Sequence, residues 1–487
     1  MPEARAARAA TEESGVRQRA DGLTRRTFVK GSAALTVLSQ LAGCAGEKRR
    51  MGGPNILLVL SDAHRASSTG CYGESQIRTP RFDGFAQEGL RLDAAVSTTP
   101  LCRPFRASLM TGAYAHHHGM FNNRPPFVPA GNLRETSERN FGVDAFDQWR
   151  PGDLPTLGET FARAGYRCGY IGKWHLGNAN VPRGKLRFGF NDDWYVGATP
   201  KHDYWRHRFI TNDQRMLKGE GTFVPTVETD LALDFIEAAD DRPWVLILSW
   251  GPPHGPFDPP DEFKHYDGIS APPNVPEGPR EVIEGKTLPM YYALIEAIDH
   301  EFGRLVDGLG KLGGAESTLV MYTSDHGAQL QSHGLAGKEV PYSESTRVPF
   351  LMRWPGTLPE GEVTTMPIGS PDIFPTLTGL MGVPTPAGVV GTDLSAALRG
   401  VPGAARQQAA YLAAHEPRGE PWPGWRGVRT ATHLYARRED APWLLIDVAN
   451  DPHEQDNLVG KSPELEAEMD TLVNDLMREV GDSWRGS

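Results

Sequence analysis

A short segment of the chain combines a cysteine, a proline and an arginine at alternate positions, Cys102, Pro104 and Arg106. Proline is favoured in the first turn of a helix, where its missing N–H group costs no hydrogen bond. The spacing therefore predicts that Cys102 lies at the N-terminus of a helix. Free backbone N–H groups at such an end attract anions, so a nucleophile at residue 102 would suit an anionic substrate. The same spacing is also compatible with a loop cysteine that has no function.

An aspartate, Asp62, follows the continuous apolar run of residues 56–60. Such a run is typical of a strand buried on both faces of a parallel sheet. Ligands of open α/β sheets gather at the carboxyl ends of the strands, which makes Asp62 a candidate metal ligand. A lone aspartate at this place can also merely cap the next turn.

Two other segments carry basic side chains after strand-like runs. Lys173 and His175 are two residues apart, so both side chains point to one side if the backbone stays extended. His254 follows the apolar run 244–248 and lies in a Pro-Pro-His-x-Pro segment, whose prolines restrict the backbone around its imidazole. Taken alone, a Lys-x-His pair is usually exposed on the surface, and a histidine in a proline-rich loop is common.

These side chains need a scaffold that brings distant parts of the chain together. The apolar runs 56–60, 244–248 and 319–323 are each followed by polar residues. Apolar residues at spacings of three and four between Ile295 and Leu309 predict an amphipathic helix packed on a sheet. The sequence therefore predicts a doubly wound α/β sheet with the candidate residues at the carboxyl ends of its strands.

The C-terminal part has its own pattern. Residues 371–380 predict a helix, and the prolines and glycines between residues 382 and 391 predict a boundary. Beyond it, 425–438 and 443–448 are expected to be strands, and 462–480 an amphipathic terminal helix. We thus expect a targeting segment at 1–53, a large catalytic domain at 54–390 and a small subdomain at 391–487.

The formal net charge of the 487-residue chain is −11, which argues against nucleic acid as a partner. Residues 24–30, Thr-Arg-Arg-Thr-Phe-Val-Lys, have the pattern of a twin-arginine export signal. Residues 41–44, Leu-Ala-Gly-Cys, resemble a bacterial lipoprotein cleavage box, in which Cys44 would be lipidated. The sequence predicts export to the periplasm or cell surface, with a membrane contact only through this anchor. A simple signal peptide cut nearby is the alternative.

Five segments together resemble the sulfatase family. They are residues 101–112, 165–175, 249–256, 324–327 and 337–344. In that family the cysteine of the first segment is oxidised to formylglycine, so the resemblance implies a formylglycine-generating enzyme as a partner of Cys102. The hydrated aldehyde has one hydroxyl to attack sulfur and a second to break the covalent intermediate.

The resemblance also implies a metal site. Asp62, Asp325, His326 and the oxygen derived from Cys102 would be its ligands. Oxygen ligands favour a hard cation such as Ca²⁺, while the histidine leaves Mg²⁺ or Mn²⁺ open. The implied catalytic residues besides Cys102 are Arg106, Lys173, His175, His254 and Lys338, of which Lys173, His254 and Lys338 would bind the sulfate group.

The implied fold is an alkaline-phosphatase-like α/β sandwich with a mostly parallel central sheet and a smaller antiparallel C-terminal subdomain. The implied reaction is hydrolysis of a sulfate ester in a sulfated small molecule or glycan. Residues 188–213 are rich in aromatic and histidine side chains. They suit sugar recognition, and they equally suit an irregular loop packed by its own aromatic rings. Ala63 and Phe105 depart from the family pattern, which usually has a second acidic residue and a small hydroxyl residue there.

Three other functions stay open. A phosphodiesterase or phosphonate monoester hydrolase of the same superfamily would share the metal and formylglycine, although Lys173 and His175 favour sulfate. A catalytically silent, glycan-binding lipoprotein is compatible with Ala63 and Phe105. A hydrolase that uses the Cys102 thiol directly is disfavoured because the sequence contains no evident Cys–His pair.

Overall fold

The computed structural model describes residues 54–123, 153–176, 184–197, 202–213, 215–415, 424–439 and 441–484. The predicted export signal at 24–30 and the predicted lipidation site at Cys44 lie outside these residues. Among the described residues, no helix has the length and apolar character needed to cross a membrane.

Sixteen strands are named here in chain order. They are Asn55–Asp62 (β1), Leu90–Leu92 (β2), Ala95–Val96 (β3), Arg167–Gly172 (β4), Asp193–Gly197 (β5), Arg206–Ile210 (β6), Met216–Glu220 (β7), Trp244–Pro253 (β8), Thr318–Ser324 (β9), Phe350–Arg353 (β10), Glu362–Thr364 (β11), Ile368–Gly369 (β12), Ala409–Ala414 (β13), Trp425–Thr430 (β14), His433–Arg437 (β15) and Pro442–Asp447 (β16).

Ten of these strands form one large sheet in the order β11-β2-β10-β9-β1-β8-β4-β5-β6-β7. At its centre β1 pairs in parallel with β8 and β9, and β4 pairs in parallel with β8 and β5. Antiparallel pairs occur towards both edges. The predicted mostly parallel central sheet is thereby confirmed.

Helices lie on both faces of this large sheet. The α-helices are Pro80–Gln87, Cys102–Thr111, Ala115–His118, Leu157–Arg163, Val224–Glu237, Glu277–Val282, Leu288–Lys311, Ser343–Thr346, Ile373–Met381, Ser395–Leu398 and Pro463–Glu479, and a π-helix, Ile283–Thr287, precedes Leu288–Lys311. The predicted helix between Ile295 and Leu309 is part of Leu288–Lys311, and the helix predicted at 371–380 is Ile373–Met381.

The continuous apolar run of β1 is explained by burial on both faces of the sheet. Ile56, Leu58 and Leu60 pack in one core with the helix Cys102–Thr111, whereas Leu57 and Val59 pack in the opposite core with Leu288–Lys311. Neighbouring side chains of a strand point to opposite faces, so every position of this strand has to be apolar. The same two-sided burial holds β1 at the centre of the molecule.

A second sheet is antiparallel, with the order β13-β14-β15-β16. The terminal helix Pro463–Glu479 covers one face through Met469, Val473 and Met477. The expectation of one strand over 425–438 was wrong, because the chain turns between β14 and β15. The Thr430 hydroxyl accepts hydrogen bonds from the backbone N–H groups of Thr432 and His433, at 3.2 and 2.8 Å, and so fixes this turn. The domain boundary at residue 390 stays a prediction.

Candidate active site

Two buried carboxylates meet at the carboxyl ends of the central strands. Asp62 is the last residue of β1, and Asp325 follows the last residue of β9. Ser61 is paired with Ser324 in register, and the Asp325 N–H donates to the Ser61 carbonyl at 3.2 Å. Parallel pairing therefore places two residues that are far apart in sequence side by side, as predicted for Asp62 from its position after a buried strand.

Cys102 is the first residue of the helix Cys102–Thr111, as predicted, and Pro104 lies in the first turn. Only 2% of Cys102 is exposed. Its Sγ atom lies 3.1 Å from His326 Nε2, 3.8 Å from an Asp62 carboxylate oxygen and 3.2 Å from Lys338 Nζ. The structure thus gathers the predicted nucleophile position and three other predicted site residues within one small space.

The residues predicted to bind a metal fit a divalent cation. One ligand atom from each of Asp62, Cys102, Asp325 and His326 lies within 4.8 Å of the others, and all four residues are buried. His326 Nδ1 is 2.7 Å from the Gly327 carbonyl, which can only accept, so Nδ1 carries the proton. The Nε2 lone pair is then directed at the cluster, as a metal ligand requires.

Arg106 neutralises part of this acidic cluster. Its guanidinium donates to an Asp325 carboxylate oxygen at 3.0 Å and to the Ser249 hydroxyl at 2.7 Å. It also donates to the Lys173 carbonyl at 2.7 Å. Because Arg106 is buried together with its acidic partner, it fixes the position of Asp325 as well as its charge.

Lys173 and His175 both reach the site, but not for the predicted reason. Strand β4 ends at Gly172, and His175 has a φ of +56°, in the left-handed region. The expectation that an extended backbone turns both side chains to one side was therefore wrong. Lys173 Nζ donates to an Asp62 carboxylate oxygen, and the His175 imidazole interacts with Cys102. Both side chains therefore reach the site from a segment that is no longer extended at His175.

Two histidines lie side by side next to Lys173. The rings of His202 and His254 are 4.6 Å apart, and His202 Nε2 is 3.4 Å from Lys173 Nζ and 3.7 Å from an Asp62 oxygen. The sequence identified His254 but gave His202 no individual role. Asn123, whose Nδ2 is 3.8 Å from Cys102 Sγ, was missed entirely. The position of His202 in the aromatic stretch 188–213 was its only signal.

Lys338 reaches the same cluster from a turn later in the chain. Its Nζ is 2.8 Å from His326 Nε2. The residues on either side, Gly337 and Glu339, have φ values of +82° and +77°. This turn brings the lysine into the site, and the predicted Gly-Lys segment is therefore part of it.

The two lysines dominate the electrostatics around residue 102. Burial and the charge of Asp62 raise the pKa of the Cys102 thiol, but the charges of Lys173 and Lys338 outweigh them and hold this pKa well below its ordinary value. Burial likewise raises the pKa of Asp62, but the charge of Lys173 holds it well below its ordinary value. Burial and the neighbouring charge of Asp62 raise the pKa of Asp325. The site is built to hold negative charge at residues 62 and 102.

Comparisons with known proteins decide the family. The family model described as "Sulfatase" matches residues 54–383, and a model described as "N-sulphoglucosamine sulphohydrolase, C-terminal" matches residues 331–481. The chain is a sulfatase of the alkaline phosphatase superfamily. It is 33% identical over 450 residues to an ulvan-active sulfatase of Formosa agariphila, covering 89% of this chain and 82% of the relative.

Solved structures share the fold. One, solved in complex with its substrate D-glucosamine-2-N,6-O-disulfate, has a TM-score of 0.73 at 23% identity, and the match covers 89% of this sulfatase and 99% of that chain. A phosphonate monoester hydrolase of Agrobacterium radiobacter has a TM-score of 0.67 at 18% identity and covers 88% of this chain and 96% of its own. These similarities confirm the alkaline-phosphatase-like fold of the sulfatase.

The two departures from the sulfatase pattern have different structural settings. Phe105 is buried in the core between the helix Cys102–Thr111 and the sheet. Ala63, in contrast, lies in the site with a φ of +66°, and its N–H donates to an Asp325 oxygen at 3.2 Å. The candidate metal site of this sulfatase therefore has one carboxylate from the end of β1, that of Asp62.

One expectation about Cys102 was wrong. The sequence contains no evident Cys–His pair, yet the structure places His326 Nε2 3.1 Å from Cys102 Sγ. The two residues are 224 positions apart, so only the folding of the sheet brings them together. The absence of a Cys–His pair is therefore no argument against a thiol nucleophile in this sulfatase.

Proposed function

We propose that this sulfatase releases sulfate from a sulfated carbohydrate. The observation that carries the proposal is the group of cationic side chains around residue 102, which would attract an anionic ester. Lys173, Lys338 and Arg106 all lie in contact with the acidic cluster or with Cys102. The carbohydrate part is supported by the names of its relatives, one active on ulvan and one bound to a sulfated glucosamine.

We infer that Cys102 is converted to formylglycine by a formylglycine-generating enzyme. The hydrated aldehyde supplies a hydroxyl nucleophile and a second hydroxyl that allows release of sulfate. Support comes from the place of residue 102 at a helix N-terminus, where backbone N–H groups favour an anion. A divalent cation held by Asp62, Asp325 and His326, with Ca²⁺ as the proposed ion, would supply charge stabilisation at this position.

The charged side chains would stabilise the transition state. The ammonium group of Lys338 lies 3.2 Å from Cys102 Sγ, and that of Lys173 donates to the neighbouring Asp62. Both would offset the charge on the sulfonyl oxygens. Arg106 holds Asp325 in place and contributes positive charge behind it. Such preorganised groups act most strongly in a buried site.

Two further groups would move protons. Burial, together with the charge of Lys173, lowers the pKa of His175 to about 4, so its imidazole is neutral at neutral pH and can accept a proton from residue 102. His254 Nδ1 lies 2.7 Å from the Gly255 carbonyl, so a neutral His254 carries its proton there and not on Nε2. Lys338 would therefore be the donor to the leaving alcohol, with His254 donating only when it is protonated at both nitrogens.

The remaining expectations complete the proposal. We propose that residues 1–53 direct export by the twin-arginine route and attach the protein through a lipid at Cys44. Residues 54–390 would form the catalytic domain and 391–487 the small subdomain. Metabolic labelling with a radioactive fatty acid, with Cys44→Ala as the control, tests the anchor. Label in both forms would contradict it.

The function is tested with a panel of sulfated monosaccharides and oligosaccharides, incubated with protein produced together with a formylglycine-generating enzyme. Release of sulfate from at least one carbohydrate is expected. An aryl sulfate and an aryl phosphodiester are included, because the fold is shared with a phosphonate monoester hydrolase. Faster turnover of the phosphodiester would favour that alternative, and no turnover by fully converted protein would favour a glycan-binding role.

A further inference from the structure

A cavity of about 550 Å³ adjoins the candidate active site. It shares Ala63, His254 and Lys338 with that site, and it lies between the segment 253–257, the helical segment 279–287 and the turn 327–338. Its volume is within the range of small-molecule sites, about 300–1,000 Å³. Because His254 and Lys338 border both spaces, a group attached to a sulfate ester at residue 102 would extend into this cavity.

The wall of the cavity is mainly apolar. Its larger apolar side chains are those of Phe257, Val282, Ile283 and Leu330. Tyr291 can contact a ligand only through its aromatic ring, because its hydroxyl donates to the Ala63 carbonyl at 2.7 Å and accepts from the Arg65 N–H at 3.1 Å.

Few lining side chains remain to bind hydroxyl groups. On the described wall these are His254, Lys338, Thr287 and Gln331, because the Tyr291 hydroxyl already has its hydrogen-bond partners. A sugar ring bearing several hydroxyls would recover only part of the hydrogen bonds to water that it gives up here. An apolar group has no such cost and gains about fourfold in affinity for each methylene buried.

Val282 provides an independent indication. It ends the helix Glu277–Val282 and is 60% exposed, one of the few large apolar side chains left in water in the described chain. An apolar ligand in the cavity would cover part of this side chain. Exposed apolar groups that rim a concave site are typical of ligand-binding surfaces.

We propose that this cavity binds an aryl or alkyl group of the substrate, next to the sulfate ester that is cleaved. The inference rests on the proposed sulfatase site and adds the chemistry of the group bound beside it. The apolar group is either the alcohol itself, as in an aryl or alkyl sulfate, or an apolar substituent of a sulfated sugar. Both sources offer the same chemistry to the wall.

Binding is tested first, with alkanesulfonates of increasing chain length as ligands that cannot be hydrolysed. Titration calorimetry on the converted enzyme should show affinity rising about fourfold for each added methylene until the cavity is filled. Val282→Asp should weaken binding of the long chains by about tenfold and leave methanesulfonate unchanged. Val363→Asp is the matched control, since Val363 is a 47% exposed valine in β11, away from the cavity. Affinity independent of chain length, or equal effects of the two variants, overturns the proposal.

Turnover then identifies the source of the apolar group. Each substrate is compared between wild type and Val282→Asp, because leaving groups differ in intrinsic reactivity. If Val282→Asp loses kcat/KM with an aryl sulfate, the cavity binds the alcohol part of the ester. If it loses kcat/KM with an aryl glycoside of a sulfated sugar, the cavity binds the apolar substituent of the sugar. A loss with neither substrate overturns the proposal. Absence of all turnover with chain-length-dependent binding intact would contradict the proposed function and leave the apolar site supported.

Discussion

Replacement of Arg106 by methionine tests whether the acidic cluster depends on a buried counter-charge. Arg106 and Asp325 are both buried, and their closest charged atoms are 3.0 Å apart. Coulomb's law with an effective dielectric constant of about 20 gives an attraction of about 5 kcal/mol at this distance. Breaking a buried pair by removing one partner typically costs about 3–5 kcal/mol, because the remaining charge stays buried. We therefore expect Arg106→Met to lower the free energy of unfolding by about 3–5 kcal/mol.

The measurement is urea unfolding of metal-stripped protein, since a bound cation would replace the lost positive charge. Arg163→Met serves as the control, because Arg163 pairs with Glu159 at 4.0 Å and its side chain is 71% exposed. An exposed pair of this kind contributes at most about 1 kcal/mol. Adding Asp325→Asn to Arg106→Met removes the unpaired charge and should restore part of the lost stability. If Arg106→Met and Arg163→Met are equally stable, the reasoning about the buried charge is refuted.

Three other perturbations concern the site, and a fourth concerns a buried carboxyl group outside it, that of Glu454. Mass spectrometry of protein from cells with a formylglycine-generating enzyme should show an aldehyde at residue 102, and an active enzyme with only the free thiol would disprove the conversion. Cys102→Ser should accumulate one sulfuryl group on incubation with substrate, since serine has no second hydroxyl. Chelation should abolish sulfate release, and Asp325→Ala should do the same with its circular dichroism spectrum unchanged; full activity without metal would exclude the cation. His202→Ala should lower kcat/KM about tenfold or more, because a close neighbour of Lys173 is lost. His300→Ala, at an exposed histidine, is the control and should have no effect. Equal kcat/KM values for the two variants would show that His202 has no role in the site. Burial raises the pKa of Glu454 from 4.5 to about 7, so between these pH values the folded state binds a proton that the unfolded state has lost. The free energy of unfolding should therefore fall as the pH rises from 4.5 to about 7. Glu454→Gln should flatten this part of the plot of unfolding free energy against pH, and an unchanged plot would contradict the raised pKa.

The sequence predicted the site well where local pattern decides position. Cys102 at a helix start followed from Pro104, and Asp62 at a strand end followed from the apolar run before it. Both features depend on neighbours within a few residues. The parallel order of the central strands then brings them together, and this could be expected from several buried runs that each end in polar residues.

What the sequence did not predict depends on contacts between distant segments. His202 and Asn123 join the site from irregular segments whose path follows no periodic pattern. The pair of Cys102 and His326 forms across 224 positions. The left-handed backbone at His175 was not predicted either, since a positive φ is uncommon for residues other than glycine.

The deep burial of Cys102 has a consequence for the order of events in the cell. In the folded chain 2% of the residue is exposed, and Lys338, from a segment more than two hundred residues later, lies 3.2 Å from its sulfur. An enzyme that oxidises this cysteine needs access to the Cβ–Sγ group and to the residues around it. Under the proposed conversion, modification therefore has to precede the folding of the segment that carries Lys338. The time that the nascent chain spends unfolded would set the fraction of molecules that become active, and a faster-folding variant would be less completely matured.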